Sequence, residues 1–317
     1  MMKNNPWKEL TQDINFKRCD PLNKFDFFWG LNQNKEYLFL LEHKNFEDWP
    51  NKKLSFNEIE IEQYQLQSGF RILLTLKMLN DWDIFYTLCD DILSLSKEID
   101  DEKVLLTAMH NRLQRWQKMF RKTGKKLLTE QEQQGLMGEL FFLKEYLFNH
   151  YSSPLALSFW RGPIGDKQDF GIGNTSIEVK TKLGTTSSEV HISSIEQLNF
   201  QTKSAYLFVL TLNKSEENSY SLSSLINSIK ELIEDYESIE LFESLLLEMG
   251  YIELPEYNER FYAFIKNMFY EVDDNFPRLT FSNTPSGISS IKYTIDLNTC
   301  SKNILEEEKV KERIFNV

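Results

Sequence analysis

One short segment of the chain nearly fixes its own pairing. The dipeptide Gly173-Asn174 is a favoured two-residue hairpin turn, and residues with β-strand character lie on both sides of it. If these two residues form the turn, residues at equal distances from it face each other across the hairpin. Asp169 is then expected opposite Glu178, and Lys167 opposite Lys180.

This hairpin would bring like charges together on one face. Side chains alternate along a strand, so Lys167, Asp169, Glu178 and Lys180 would share one face and the apolar neighbours the other. Carboxylates directly across a strand pair lie about 4.5–5.5 Å apart at Cβ and repel each other. A hard divalent cation such as Mg²⁺ or Mn²⁺ would offset the repulsion, since such ions take oxygen ligands from one or two carboxylates.

The same pattern indicates a reaction class. A bound cation lowers the pKa of a water, and Lys180 on the same face could contact that water or the scissile phosphate. These residues therefore favour metal-dependent hydrolysis of phosphodiester bonds. A competing interpretation is an edge hairpin that carries mixed surface charges, and Asp166 competes with Asp169 as the metal ligand.

A carboxylate also lies in the apolar helical run from Gly135 to Phe148, which Thr129 and Glu132 are expected to cap. There Glu139 would be costly to bury in its ionised form unless it is paired or coordinates metal. Gly138 would let the helix approach a neighbouring strand closely. We therefore expect Glu139 to be an accessory acid, although a position facing solvent at the edge of the helix is the alternative.

Charge is distributed unevenly along the 317 residues. The net charge is −12, yet the segment from Lys103 to Lys126 contains eight basic residues and no acidic one. A basic segment in an acidic protein favours contact with the phosphates of nucleic acid, and a solvated helix face is the alternative. The predicted nucleic-acid contacts are Arg112, Arg115, Lys118, Lys122, Lys125 and Lys126, together with Lys182 on the hairpin.

Periodicity predicts a mixed α/β chain in three regions. Residues 1–100 are expected to be a strand-rich N-terminal region, 101–215 the core with the hairpin, and 216–317 a C-terminal α+β region. A helix is expected over 103–121, and the apolar run Ala205–Leu212 is typical of a buried central strand.

The remaining composition narrows the function classes. No segment has the roughly 18 apolar residues that span a bilayer, and no signal peptide is evident, so we expect a soluble cytoplasmic protein without a membrane partner. Three cysteines and four scattered histidines argue against a structural zinc site and fit free thiols. Since no glycine-rich phosphate loop is present, ATP binding is not expected.

Three segments together resemble a known family. These are GLMGELFFL, FWRGPIGDKQDFGIG and IEVKTK, and the later DNFPRLTF and IKYTIDL segments add to the similarity. The chain resembles the PD-(D/E)XK motif family of uncharacterised prokaryotic proteins, a branch of the restriction-endonuclease-like superfamily. It departs from the motif's name at Gln168, where a proline would precede the aspartate.

The resemblance implies a restriction-endonuclease-like core, in which a helix packs on a mixed β-sheet. It implies Asp169 and Glu178 as metal ligands, Lys180 as the catalytic lysine and Glu139 as the helix-borne acid, which is also a candidate ligand. The implied function is Mg²⁺-dependent DNA cleavage in a restriction or phage-defence system, whose other subunits could be partners. A non-catalytic DNA-binding or assembly subunit, an RNA-directed nuclease and a protein-interaction module are the alternatives, and homodimerisation remains open.

Overall fold

A computed structural model describes most of the chain, in two compact units. The described residues are 5–10, 15–44, 49, 54, 56, 58–123, 128–185, 188–215, 219–288 and 290–315; the side chains of 118, 119, 121–123, 255 and 307 are not described. One unit comprises residues 1–126 with 252–255, and the other comprises 127–251 with 256–317. Within the described ranges, no helix combines the length and apolar character that crossing a bilayer requires.

The first unit contains an antiparallel sheet and two helices. Its strands are β1 (Phe16–Arg18), β2 (Asp26–Leu31), β3 (Tyr37–His43), β4 (Ile59–Leu66) and β5 (Gly69–Leu76), in the order β1-β2-β3-β5-β4. The helices are α1 (Trp82–Lys97) and α2 (Glu102–Thr123). Trp7 stacks on Tyr37 with ring centroids 4.8 Å apart and donates from Nε1 to the Leu38 carbonyl at 2.8 Å. These contacts place an aromatic core beside β3.

The second unit is built on a mixed sheet. Its elements are α3 (Glu130–Phe142), α4 (Ser153–Ser158), β6 (Phe170–Ile172), β7 (Thr175–Leu183), β8 (Glu189–Ile192), β9 (Ser204–Lys214), α5 (Leu222–Lys230), α6 (Tyr236–Glu248), β10 (Tyr262–Glu271), β11 (Tyr293–Asp296), β12 (Ile304–Leu305) and α7 (Glu307–Val310). The sheet order is β12-β10-β9-β7-β6, and β8 and β11 form a separate pair. Strands β7 and β9 are parallel, whereas the other pairs are antiparallel.

Strand β9 is the centre of this sheet, as its apolar run predicted. Its residues from Ala205 to Leu210 are buried, with β7 on one side and β10 on the other. Phe142 of α3 packs on Phe208 of β9 with ring centroids 5.2 Å apart. The predicted fold class, a helix packed on a mixed sheet within an α/β protein, is confirmed.

The capping-box pattern in the sequence correctly predicted where α3 begins. The Thr129 side chain accepts from the Glu132 N–H, and the Glu132 carboxylate accepts from the Thr129 N–H, so the capping box forms as predicted. The α-helix begins at Glu130 and ends at Phe142, where a π-helical turn, Leu143–Leu147, continues it. This turn accounts for the predicted helical extent to Phe148.

The structure divides the chain differently from the three predicted regions. Helix α2 belongs to the strand-rich first unit, and β10, which was assigned to the C-terminal region, pairs with β9 of the core. Long-range strand pairing of this kind joins segments that are far apart in sequence, so a boundary based on local composition does not detect it.

Candidate active site

The hairpin forms with the predicted register, but it is shorter than predicted. Phe170 pairs with Ile177 and Ile172 with Thr175, around the turn at Gly173-Asn174. Gly173 has a φ of 56°, in the left-handed region that glycine adopts without a steric penalty. Strand β6 begins at Phe170, so Asp169 lies just before the strand and does not pair with Glu178.

Asp169 leaves the ladder because its carbonyl bonds elsewhere. Its main-chain oxygen accepts from the N–H groups of Arg161, at 2.7 Å, and Gly162, at 3.1 Å. The chain before Phe170 therefore turns away from β7, and the predicted pairing of Lys167 with Lys180 is wrong. Lys167 is exposed outside the strand.

The Asp169 side chain takes the place of the missing strand. Its Oδ2 accepts from the Val179 N–H at 2.7 Å, a donor on the side of β7 that β6 no longer covers. An unpaired main-chain N–H is costly to bury, so this bond stabilises both the strand and the position of the carboxylate. Asp166, by contrast, is exposed and accepts the N–H of its neighbour Lys167, which favours Asp169 as the site carboxylate.

Glu178 and Lys180 lie on one face of β7, two residues apart. They pair with Leu207 and Val209 of β9 in parallel register, and Glu178 is only 1% exposed. Lys180 Nζ lies 2.8 Å from Glu178 Oε1, and Glu178 Oε1 has no other partner in the described part of the chain. The two side chains therefore form a buried ion pair, in which Lys180 is the one cation in contact with Glu178 Oε1 among the described residues.

Glu139 reaches the same place from α3. Its neighbour Gly138 has no side chain, and one would meet Thr181 Oγ1 and come within 3.2 Å of Val179 Cγ1, so the predicted close approach of helix and strand is present. Glu139 is 8% exposed, and its Oε2 accepts from Trp160 Nε1 at 2.7 Å. The helix thus delivers a buried carboxylate that a tryptophan orients.

Gly162 shows how closely two of the carboxylates converge. A side chain at Gly162 would start 2.8 Å from Glu139 Oε2 and 3.4 Å from Asp169 Oδ1. Both oxygens therefore border the small space that the glycine leaves open. Neither this glycine nor Trp160 was among the residues predicted from the sequence.

Burial and mutual repulsion perturb the acids of this cluster. Burial, then the charge of Asp169, raises the pKa of Glu178 to about 8, against the opposing effect of Lys180. Burial, together with Asp169, raises the pKa of Glu139 well above its usual range. Burial also raises the pKa of Asp169, although Lys180 and the Val179 N–H oppose it.

Lys180 responds in the opposite sense. Burial alone would lower its pKa, but the charges of Glu178 and Asp169 outweigh burial and raise the pKa above its usual value. The lysine is therefore a stable cation among carboxylates that resist ionising together. Such a balance is characteristic of sites that bind a further positive charge.

The donor set fits a hard divalent cation. In the described part of the chain, no three histidine, cysteine or acidic side chains are grouped as a ready set of metal ligands. Mg²⁺, however, commonly uses only one or two carboxylates, with water and substrate phosphate completing its shell. Asp169 and Glu178 suit this need, because Glu178 is buried with Lys180 as its compensating cation and Asp169 Oδ1 faces the Gly162 space.

The structure describes only some of the predicted nucleic-acid contacts, and it contradicts one of them. Arg112 is 2% exposed, and its guanidinium lies 3.1 Å from Asp91 Oδ1 of α1, so we remove it from the predicted contacts: the buried side chain offers no surface to a phosphate. Arg115 is partly buried on α2, and Lys182 is partly buried on β7. The side chains of Lys118 and Lys122, and all of Lys125 and Lys126, lie outside the described residues.

The sequence reasoning missed Tyr293, which lies within electrostatic reach of Glu178, and Arg278, which lies within reach of Tyr293. Tyr293 of β11 and Arg278 lie within electrostatic reach of each other, and the charges of Lys180 and Glu178 also act on the Tyr293 hydroxyl. Both residues occur in segments that carried the family resemblance, DNFPRLTF and IKYTIDL. Because both residues lie far from the hairpin in sequence, no local pattern indicated that Tyr293 would lie near Glu178 and Lys180.

Comparison with known proteins supports the family assignment. No curated protein and no solved structure matches the chain significantly. The model of one family, DUF4420, described as "Putative PD-(D/E)XK family member", matches residues 3–298. That match spans nearly the whole sequence and includes every residue of the acidic cluster and its lysine, so the chain belongs to the DUF4420 family.

Proposed function

We propose that this protein is a Mg²⁺-dependent endonuclease that hydrolyses phosphodiester bonds in DNA. The observation that carries the proposal is the convergence of Glu139, Asp169, Glu178 and Lys180 at the uncovered side of β7. Family membership supports it, since PD-(D/E)XK proteins are generally nucleases. A restriction or phage-defence system is the setting we propose, on the basis of the family resemblance.

Each side chain has a distinct task in this proposal. Asp169 and Glu178 hold the cation, and the Val179 N–H fixes the orientation of Asp169. Lys180 keeps its proton, because the neighbouring acids raise its pKa, and so stabilises negative charge that develops on the phosphate. Glu139, oriented by Trp160, is the accessory acid that orders water near the cation.

The cation would supply chemistry that the side chains lack. When bound, it neutralises the phosphate and lowers the pKa of a water so that hydroxide can attack at neutral pH. Binding requires ionised carboxylates, and a divalent charge would lower the raised pKa values of Asp169 and Glu178. Metal binding and ionisation of the acids would therefore occur together.

Cleavage of supercoiled plasmid in Mg²⁺ or Mn²⁺ tests the proposal. The informative variants are Asp169→Asn, which keeps an oxygen for the Val179 N–H, and Lys180→Met, which keeps the length of the chain but removes the charge. We expect each to reduce cleavage by about 100-fold or more, the usual cost of losing a group that stabilises the transition state. The matched controls are Asp166→Asn and Lys167→Met, both exposed outside the cluster.

The outcomes separate the candidate functions. Metal-dependent nicking that the two site variants lose and the two control variants retain supports the endonuclease. Cleavage that persists in both site variants, with folding verified by circular dichroism, would overturn the assignment of the site. A wild-type protein that binds DNA but cleaves neither plasmid nor single-stranded DNA would favour the non-catalytic subunit, and cleavage of RNA alone would redirect the proposal to RNA.

A further inference from the structure

The hydroxyl of Tyr293 has a hydrogen-bond donor to spare. Its Oη accepts from the Leu279 N–H at 3.3 Å, and its proton is not donated to any acceptor within the described part of the chain. A phenol can donate and accept at once, so the hydroxyl proton is available to an additional acceptor. The donated N–H also fixes the oxygen in place without using this proton.

The sheet places this hydroxyl on the same side as the reactive groups. Tyr293 packs against a cluster of buried residues that includes Leu207 and Val209 of β9. These two residues pair directly with Glu178 and Lys180 of β7, and paired neighbours in a sheet point to the same face. Tyr293 therefore borders the face of the sheet from which Glu178 and Lys180 project.

Charged groups of both signs also act on this hydroxyl. Burial raises the pKa of Tyr293; the charges of Arg278 and Lys180 oppose this rise, and the charge of Glu178 adds to it. Arg278 is anchored by its bond to the Leu198 carbonyl at 2.9 Å, and it forms a long ion pair, 3.7 Å, with exposed Asp274. Two cations and a neutral donor that remains protonated form a suitable environment for a phosphate.

We propose that Tyr293 donates its hydroxyl proton to a non-bridging oxygen of the phosphate that Lys180 contacts. The inference rests on the proposed function, since it assumes that a nucleic-acid phosphate enters this site. In this arrangement Arg278 contributes a second positive charge and Leu279 fixes the position of the phenol. Tyr293 thus extends the site from β7 to β11, on the small sheet beside it.

Binding of a fluorescein-labelled DNA duplex, measured by anisotropy in Ca²⁺, tests the contact without requiring cleavage. The variant is Tyr293→Phe, which removes only the hydroxyl. Its matched control is Tyr257→Phe, because Tyr257 Oη also accepts a main-chain N–H, that of Leu128 at 2.9 Å, and its ring partner is Tyr251, outside the site. The two variants thus lose equivalent structural bonds.

We expect Tyr293→Phe to weaken DNA binding by about tenfold or more, as for the loss of a hydrogen bond to a charged group, while Tyr257→Phe binds like the wild type. Because the lost group is neutral, the dependence of affinity on salt concentration should stay unchanged. A reduced salt slope would instead mean that Arg278 had moved with its loop, and it would overturn the direct contact.

Cleavage assays on the same proteins distinguish this inference from the proposed function. Equal DNA affinity of wild type and Tyr293→Phe overturns the phosphate contact, even if Asp169 and Lys180 prove essential for cleavage. If Tyr293→Phe binds DNA more weakly than the wild type, and the wild type itself cleaves no DNA, the phosphate contact is supported and the nuclease proposal is overturned. A wild-type protein that does not bind DNA overturns both.

Discussion

At the scale of single residues, the site is a problem of charge balance that neighbouring groups partly solve. Lys180 compensates one carboxylate, the Val179 N–H binds a second, and Trp160 binds the third. Lys180 is the only one of these three partners that carries a positive charge, whereas the Val179 N–H and the Trp160 indole are neutral donors. Burial, followed by the charge of Asp169, raises the pKa values of Glu139 and Glu178, and a bound cation would lower them.

Gly162 provides a test of the space between the acids. Its φ is not in the left-handed region, so Gly162→Ala needs no change in main-chain conformation. The added methyl group would lie 2.8 Å from Glu139 Oε2 and displace that carboxylate. We expect the Mg²⁺ concentration for half-maximal cleavage to rise by about 10- to 100-fold, the usual effect of disturbing groups that orient metal ligands.

The stabilisation of the protein by Mg²⁺ in thermal unfolding gives a second measure of this effect. The control is Gly171→Ala, where a side chain would make only ordinary contacts, 3.6 Å or longer, with Arg161. Unchanged Mg²⁺ dependence in Gly162→Ala would show that the cation binds away from Glu139.

At the scale of elements, the site depends on how closely α3 approaches β7. Gly138 allows the approach, and Glu139, next along the helix, uses it to reach the carboxylates of the hairpin. The second glycine of the helix, Gly135, faces open space and contributes no such contact. Alanine substitutions at the two positions therefore distinguish two effects: the close packing that needs a glycine at Gly138, and the lower helix propensity of glycine, which applies at both.

We expect Gly138→Ala to destabilise the protein by about 1–3 kcal/mol, the usual cost of overpacking, because the methyl group would meet Thr181 and Val179. Gly135→Ala should stabilise it by about 0.5–1 kcal/mol, since alanine is the better helix former. Urea unfolding measures both free energies. Similar stability of the two variants would contradict the close packing of α3 on β7.

The hairpin and α3 could be predicted because their signals are local. A turn dipeptide and a capping box lie within a few residues of the elements they specify, and both formed as expected. The start of β6 at Phe170 could not be predicted, because it depends on hydrogen bonds that the Arg161 and Gly162 N–H groups donate to the Asp169 carbonyl. Trp160, Gly162 and Tyr293 join the site through the same kind of contact between distant segments.

Arg112 shows the limit of reasoning from charge. Its position in a basic segment suggested a phosphate-binding role, whereas the structure buries it beside Asp91, which also accepts from Trp116 Nε1 at 2.7 Å. A pattern of charges along a sequence does not reveal which cation is paired inside the fold. The overall helix was predicted well, but the direction of this side chain was not.

At the scale of the whole molecule, the acidic cluster links folding to pH. Unfolding returns Glu178 from a pKa of about 8 to its ordinary value of 4.5, so between these values the folded state binds more protons than the unfolded state. Stability is therefore highest below the ordinary pKa and falls as pH rises through the folded pKa. Glu139 and Asp169, whose pKa values are also raised, act in the same direction.

We expect the free energy of unfolding in EDTA to fall between about pH 5 and 8, by up to about 1.4 kcal/mol per pH unit for each proton involved. Mg²⁺ should restore stability most strongly at the upper end of this range, because it binds the ionised acids. Urea unfolding with and without Mg²⁺ measures both effects.

Two variants isolate the contribution of the cluster to this pH dependence. Glu178→Gln should flatten the curve in EDTA, whereas Glu231→Gln, at an exposed position outside the site, should not. If the difference between wild type and Glu178→Gln did not change with pH, Glu178 would not titrate in this range.

The shortness of β6 has a consequence for self-association. Among the described residues, β7 has no partner strand on the β6 side beyond Ile177, and a sheet edge with free N–H groups invites pairing with another chain. Asp169 occupies the Val179 N–H with a negatively charged side chain, which a passing strand cannot easily replace. The carboxylate proposed to bind metal therefore also satisfies a main-chain donor at this edge that another strand could otherwise use.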